Sequence, residues 1–219
     1  MSKEVDVTND VIPLYHISRS ILNIGDPIMP YAFKDNTFNH NIDLFIDFLE
    51  TTPGKVVNYI FKTMESNKPG KSPHSEAFVE AIFEFIRKYE FSSKPSRLNS
   101  RFFFDNPIFC VGLWKRYKEK PDNRNPGHIY RCEIENSTAI IHTGDMRLLR
   151  NNLDISLPVH DNLQKMYSLA RDYWRGDKQM EWPEILVEGR VVVVEVLPPE
   201  CFDEIYPQLT FNSVHDLEK

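Results

Sequence analysis

Three short stretches carry side chains whose types and spacing could do chemistry. The first is LYHISRS, residues 14–20, where His16 stands among β-forming residues beside Ser18 and Arg19. An imidazole next to a hydroxyl and a guanidinium can hydrogen-bond a ribose or a carboxamide. The second is PSRLNSRFFFD, residues 95–105. Arg97 and Arg101 offer forked donors that match phosphate oxygens, and Ser96, Asn99 and Ser100 add short-range hydrogen bonds. Phe102 and Phe103 supply flat surfaces for a heteroaromatic ring. Alternate strand residues face opposite sides, so Ser100 and Phe102 form one set and Arg101 and Phe103 the other. Which arginine meets an anion stays open at this point. The third stretch is YWRGDKQMEWPEILVEG, residues 173–189, where Glu184 opens a β-rich run and Glu181 and Glu188 are rival carboxylates. A carboxylate at a strand entrance can stabilise a developing cation. Each stretch also has a plain structural reading: a half-buried strand histidine, a turn into a buried strand, a surface acid at a strand edge.

The elements that must position these groups follow from periodicity. Residues 12–18 read as a strand, followed by a turn-rich segment with Gly25, Asp26, Pro27 and Pro30. Residues 41–50 read as a short helix and 63–74 as a polar loop. Residues 75–90 form an amphipathic helix on the stripe of Ala77, Phe78, Ala81, Ile82, Phe85, Ile86 and Tyr89. A strand over 100–105, a helix from Asn106-Pro107 to Lys118, a loop over 119–127 and strands over 128–135 and 137–143 come next. Residues 162–175 are helical with Gly176 as a stop, and strands cover 183–189 and 190–198. Strands cluster rather than alternate with helices, which predicts α+β with a mixed or antiparallel sheet. No Gly-x-Gly-x-x-Gly or Gly-x-x-x-x-Gly-Lys occurs.

Composition narrows the classes. The 219 residues are 41% hydrophobic, which suits one domain, with a polar tail over 1–10 and an extension over 199–219. Lys+Arg of 26 against Asp+Glu of 32 gives a net charge of −6, so there is no global pull toward nucleic acid. The best basic run is Lys115, Arg116, Lys118, Lys120 and Arg124, a pattern more typical of a solvated helix face. Cys110, Cys132 and Cys201 are widely spaced, which predicts reduced thiols and no zinc site. The polar N-terminus and the lack of a long apolar run predict a soluble, cytoplasmic protein with no membrane association.

In this order the three stretches resemble the ADP-ribosyltransferase superfamily, over roughly residues 12–198. LYHIS and PEILVEGRVVVVEV look like segments of DarT-type nucleic-acid transferases, while SRLNSRFFF, IYRCEIE with Gly144-Asp145-Met146 and ARDYWRG look like a branch that includes CmdT-like toxins modifying mRNA. The resemblance implies an α+β fold whose sheets form a split NAD cleft, with helices inserted between the first and second core strands. It implies NAD as substrate, Glu184 as catalytic residue, and His16, Ser18, Arg97, Ser100, Arg101, Phe102 and Phe103 as the NAD-binding set. The loop 175–183 becomes the acceptor-recognition element, with Tyr173, Arg175, Lys178 and Trp182 as acceptor contacts and Gln179 beside them. Two departures from the family pattern stand out, and the second bears on the acceptor. The second strand lacks a Ser-Thr-Ser, and Trp182 stands two positions before Glu184 where protein-arginine transferases carry Glu or Gln. A nucleic-acid base, in RNA or single-stranded DNA, is therefore the expected acceptor, and a toxin of anti-phage or toxin–antitoxin defence, with a possible antitoxin partner, the expected setting. The competing expectations are a transferase acting on protein, an NAD glycohydrolase, a non-catalytic nucleotide- or RNA-binding module, and a nuclease.

Overall fold

The computed structural model describes residues 13–30, 36–66, 73–118, 127–135, 138–149, 153–154, 156–177 and 179–198. The tail over 1–10 and the extension over 199–219 lie outside them. Strand β1 (Leu14–Ser18) leads into three helices, α1 (Asn36–Thr51), α2 (Pro53–Ser66) and α3 (Pro73–Glu90). Strand β2 (Arg101–Phe103) and α4 (Pro107–Lys118) follow, then β3 (His128–Ile134), β4 (Ile140–Asp145), a 3₁₀ turn (Met146–Leu148), α5 (Val159–Arg175), β5 (Pro183–Glu188) and β6 (Val191–Leu197). The architecture is α+β, with helices between the first and second strands, as expected.

Two three-stranded sheets form, ordered β1-β3-β6 and β2-β5-β4, and every ladder in them is antiparallel. The pleat sends alternate side chains into different cores. Leu186 enters a helical core with Phe45, Phe78, Ile82, Tyr173 and Trp174, whereas its neighbours Ile185 and Val187 join Leu14, Phe103, Tyr130, Cys132 and Val193 on the other face. A third cluster packs α4 (Cys110, Val111, Trp114) under Tyr15, Ile17, Phe104 and Trp182.

Several boundaries differ from the sequence reading: β4 runs Ile140–Asp145, not 137–143, and α5 starts at Val159, not 162. Helix α1 starts at Asn36, and α2, running through the start of the stretch read as loop, ends at Ser66. Pro53 causes the break: it sits at the first position of α2, where its missing N–H costs nothing, while the Thr52 amide still bonds Phe48 O at 2.7 Å. Strand β2 is three residues long, because beyond it only a single bridge, Tyr15 to Phe104, continues the pairing.

Candidate functional site

The bridge between Tyr15 and Phe104 is where the two sheets meet and part. These residues exchange N–H···O bonds of 2.8 and 2.9 Å. In a regular antiparallel ladder the next exchange would join Ile17 to Phe102. Instead the imidazole of His16 takes the Phe102 carbonyl, at 2.9 Å from Nδ1. A carbonyl only accepts, so Nδ1 carries the hydrogen and Nε2 keeps its lone pair. Burial lowers the pKa of His16, against the smaller opposing effect of the Phe102 carbonyl, so the ring is neutral near pH 7. Its ring centroid lies 5.6 Å from that of Phe103. The histidine thus replaces main-chain pairing at the point where β1 turns to β3 and β2 to β5.

Residues opposite one another in an antiparallel ladder share a face. His16 opposes Tyr130 and Ser18 opposes His128, so these four line one face of the first sheet. The Tyr130 hydroxyl donates to Ser20 O and accepts from the Leu22 amide, both at 3.0 Å, and so anchors the segment after β1. Arg101 shares the face of Phe103, and its Nε donates to Ile28 O. It forms no ion pair among the described residues. Burial lowers its pKa from the ordinary arginine value.

Glu184 belongs to a different group. It is 3% exposed and opposes Gly144 in the β4–β5 ladder, on the face of Leu186. Its Oε1 receives Arg97 Nη1 and the Tyr173 hydroxyl, the latter at 2.7 Å. Arg97 Nη1 also donates to the Tyr173 oxygen at 2.6 Å, and the Arg97 Nε and Nη2 reach Glu80 at 2.9 and 3.1 Å. The guanidinium lies 5.0 Å from the centre of the Phe102 ring. Burial raises the pKa of Glu184 above the ordinary carboxyl value, outweighing the opposing Arg97 charge and the Tyr173 and Arg97 hydrogen bonds. Oε2 accepts no hydrogen bond among the described residues. Ser100 shares this face, and its hydroxyl is fully buried without a partner among the described residues.

The fold therefore brings the NAD-binding candidates together in two groups, not one. His16, Ser18, Arg101 and Phe103 lie on one side of the β2–β5 layer, with Glu184, Arg97, Ser100 and Phe102 on the other. The structure distinguishes the two arginines: Arg97 is engaged by Glu80 and Glu184, whereas Arg101 forms no ion pair among the described residues. Of the rival carboxylates, Glu188 accepts the Ser96 amide at 3.0 Å and Glu181 pairs with Arg147.

The acceptor set needs correction. Tyr173 is 0% exposed and Trp182 is 3% exposed, so neither presents a ring on which an unpaired base could stack. Trp182 packs with Phe104 and Phe109 beneath the loop, and its carbonyl accepts the Met146 amide at 2.9 Å. Arg175 is half exposed, 3.6 Å from Asp172. Lys178 lies outside the described residues, as do Lys120 and Arg124 of the basic run. Beside Arg175, a cleft of about 110 Å³ is lined by Asp145, Arg147, Asp172, Gly176, Gln179 and Met180. The described residues contain no cluster of metal-ligating side chains and no helix long and apolar enough to cross a membrane.

Sequence reasoning missed Glu80, Tyr130 and His142. Glu80 had a signal, an acid bordering the apolar stripe of α3; His142 had none. His142 Nε2 lies 3.0 Å from Tyr173 O, and burial pushes its pKa down to about 4. A folded pKa below the unfolded one gives stability that is present above the unfolded value near 6.5 and lost as pH falls toward 4. Acid titration of the protein from pH 7 to 4 is expected to lower its unfolding free energy by up to about 3 kcal/mol through this residue. His142→Gln should flatten that part of the curve in denaturant melts; an unchanged slope would contradict the assignment.

Residues 14–199 match the family model described as "Protein of unknown function (DUF2441)", and the chain belongs to that family. No curated protein matches it.

Proposed function

We propose that this protein is an NAD-dependent ADP-ribosyltransferase that transfers ADP-ribose to a nucleic-acid base and releases nicotinamide, in a toxin of anti-phage or toxin–antitoxin defence. The observation that carries the reading is the parting of β1 from β2 at a neutral, oriented His16. Nε2 is an acceptor suited to a ribose hydroxyl, and Arg101 supplies a guanidinium for diphosphate; Phe103, 0% exposed, is core and offers no face to a ring. The resemblance of LYHIS and PEILVEG to transferase segments points the same way.

Because the two groups face opposite sides of β2, a dinucleotide serving both must straddle the edge of β2 that β1 leaves free. It would meet His16, Ser18 and Arg101 on one face, with Phe103 buried against His16, and Ser100 and Glu184 over the edge. The buried Ser100 hydroxyl without a partner suits such a ligand. The C1′–N bond to nicotinamide breaks with its electron pair leaving on the pyridine nitrogen, and positive charge develops on the ribose. The second oxygen of Glu184 stabilises that charge more in the transition state than in the ground state. A base nitrogen or exocyclic amine then bonds C1′ and gives up its proton, with Glu184 as acceptor. Arg175 and the neighbouring cleft are the acceptor side.

One observation favours a second reading. Glu184 is already engaged by Arg97 and Tyr173, as a purely structural carboxylate would be, which suits a nucleotide-binding module without turnover. Incubation with NAD radiolabelled in the adenosine, together with RNA, single-stranded DNA or cell protein, separates the cases. Label in nucleic acid and released nicotinamide are expected. Label in protein alone changes the acceptor. Calorimetric NAD binding without nicotinamide release selects the module, and no binding ends both readings.

A further inference from the structure

We infer that Tyr173 is a positioning residue for Glu184: its phenol and Arg97 together hold Oε1, so that Oε2 stays turned to the ligand. This rests on the reading of Glu184 as the reacting carboxylate. The geometry is over-determined. The Tyr173 hydroxyl lies 2.7 Å from Oε1 and 2.6 Å from Arg97 Nη1, so the three groups close a triangle in which each fixes the other two. Position 144 shows how closely the ring is seated. Gly144 opposes Glu184, and a Cβ there would come within 2.3 Å of the Tyr173 ring, so only glycine lets the ring lie across the strand. Helix α5 then stops at its cap three residues further on, Gly176 with φ 65°, where a Cβ would meet Thr143 O at 2.7 Å. The end of α5 is thereby seated against β4, and Tyr173 with it.

The titratable and charged groups around Glu184 come from every neighbouring element: Glu80 of α3, Arg97 of the turn before β2, Tyr173 of α5 and His142 of β4. His142 touches the Tyr173 ring at 5.5 Å and bonds its carbonyl, and being neutral it adds no charge. Among these only Arg97 and Tyr173 donate to Glu184. Removing the phenol therefore takes away half of its donors while leaving the charge count unchanged.

Carbon-13 labelling of glutamate carboxyls, with the Glu184 signal assigned by its loss in Glu184→Gln, follows the titration directly. In Tyr173→Phe the Glu184 midpoint should rise by about one pH unit, a tenfold gain in proton affinity. Nicotinamide release should fall about tenfold in kcat, with its acid limb displaced upward by the same amount and KM for NAD little altered. A fluorotyrosine at position 173 keeps the shape and strengthens the donor, so its midpoint should move down; it serves equally if the phenylalanine variant does not fold. A midpoint unmoved in the folded variants overturns the inference, whatever the turnover. A midpoint that moves in a protein that never cleaves NAD upholds the hydrogen bond but defeats both the catalytic reading and the role inferred from it.

Discussion

Glu184→Gln is expected to leave a folded protein that binds NAD and releases nicotinamide at least ~100-fold more slowly, since removing one group that stabilises transition-state charge costs about 10²–10³ in rate. The amide keeps an oxygen where Oε1 stood, so Tyr173 and Arg97 still have an acceptor, and Glu80 still neutralises the guanidinium. The negative charge is what disappears. An interaction made mainly in the transition state lowers kcat and kcat/KM together while binding of the ground state changes little. Two measurements check this: nicotinamide release under saturating NAD, and NAD affinity by calorimetry. If Glu184→Gln turns over at the wild-type rate, the carboxylate is a structural pair for Arg97 and the bond-breaking step belongs elsewhere. If affinity collapses along with turnover, Glu184 holds the ground state and its proposed role is wrong in kind.

How much of this was legible in the sequence depends on range. Local signals carried the elements. The stripe of α3 and the Gly176 stop of α5 are written in runs of adjacent residues, and the structure has both. The break at Pro53 was also written locally, but α2 beyond it was missed because its apolar positions, Val57 and Ile60, are separated by polar ones and run straight into a polar stretch. At the site, the types of His16, Arg97 and Glu184 were readable, but their pairing was not. Arg97 and Arg101 look equivalent four residues apart. What separates them is that α3 sends Glu80 to one, while the segment after β1 offers only the Ile28 carbonyl to the other. The same holds for Tyr173 and Trp182. Aromatic residues flanking a polar loop read as a binding surface, and only the long-range packing of α5 and α4 turns both rings inward.

The second large effect concerns that same pairing. Arg97→Met is expected to cost roughly 3–5 kcal/mol of unfolding free energy, the usual consequence of removing one partner from a buried ion pair. For a chain of this length that corresponds to a melting temperature lower by about 10 °C. The size follows from what remains: Glu84 keeps Arg87, but Glu80 and Glu184 would face each other across the space the guanidinium filled. Removing the Arg97 counter-charge, which lowers the Glu184 pKa, raises that pKa further in the folded state. A raised folded pKa contributes stability that is full below the unfolded value and lost as pH rises, so the deficit of the variant should be small near pH 4 and largest near pH 7. Neutralising one neighbour should restore part of the loss, and Arg97→Met with Glu184→Gln should therefore be more stable at pH 7 than Arg97→Met alone, a non-additivity that a double-mutant cycle by urea unfolding reads directly. Strict additivity, or a deficit independent of pH, would mean that the guanidinium stabilises the fold through packing on Phe102 and Tyr173, not through its charge. The same cycle also bears on function. Charge coupling between Arg97 and Glu184 would show that the carboxylate stays ionised in its buried seat, as stabilising a cationic ribose requires.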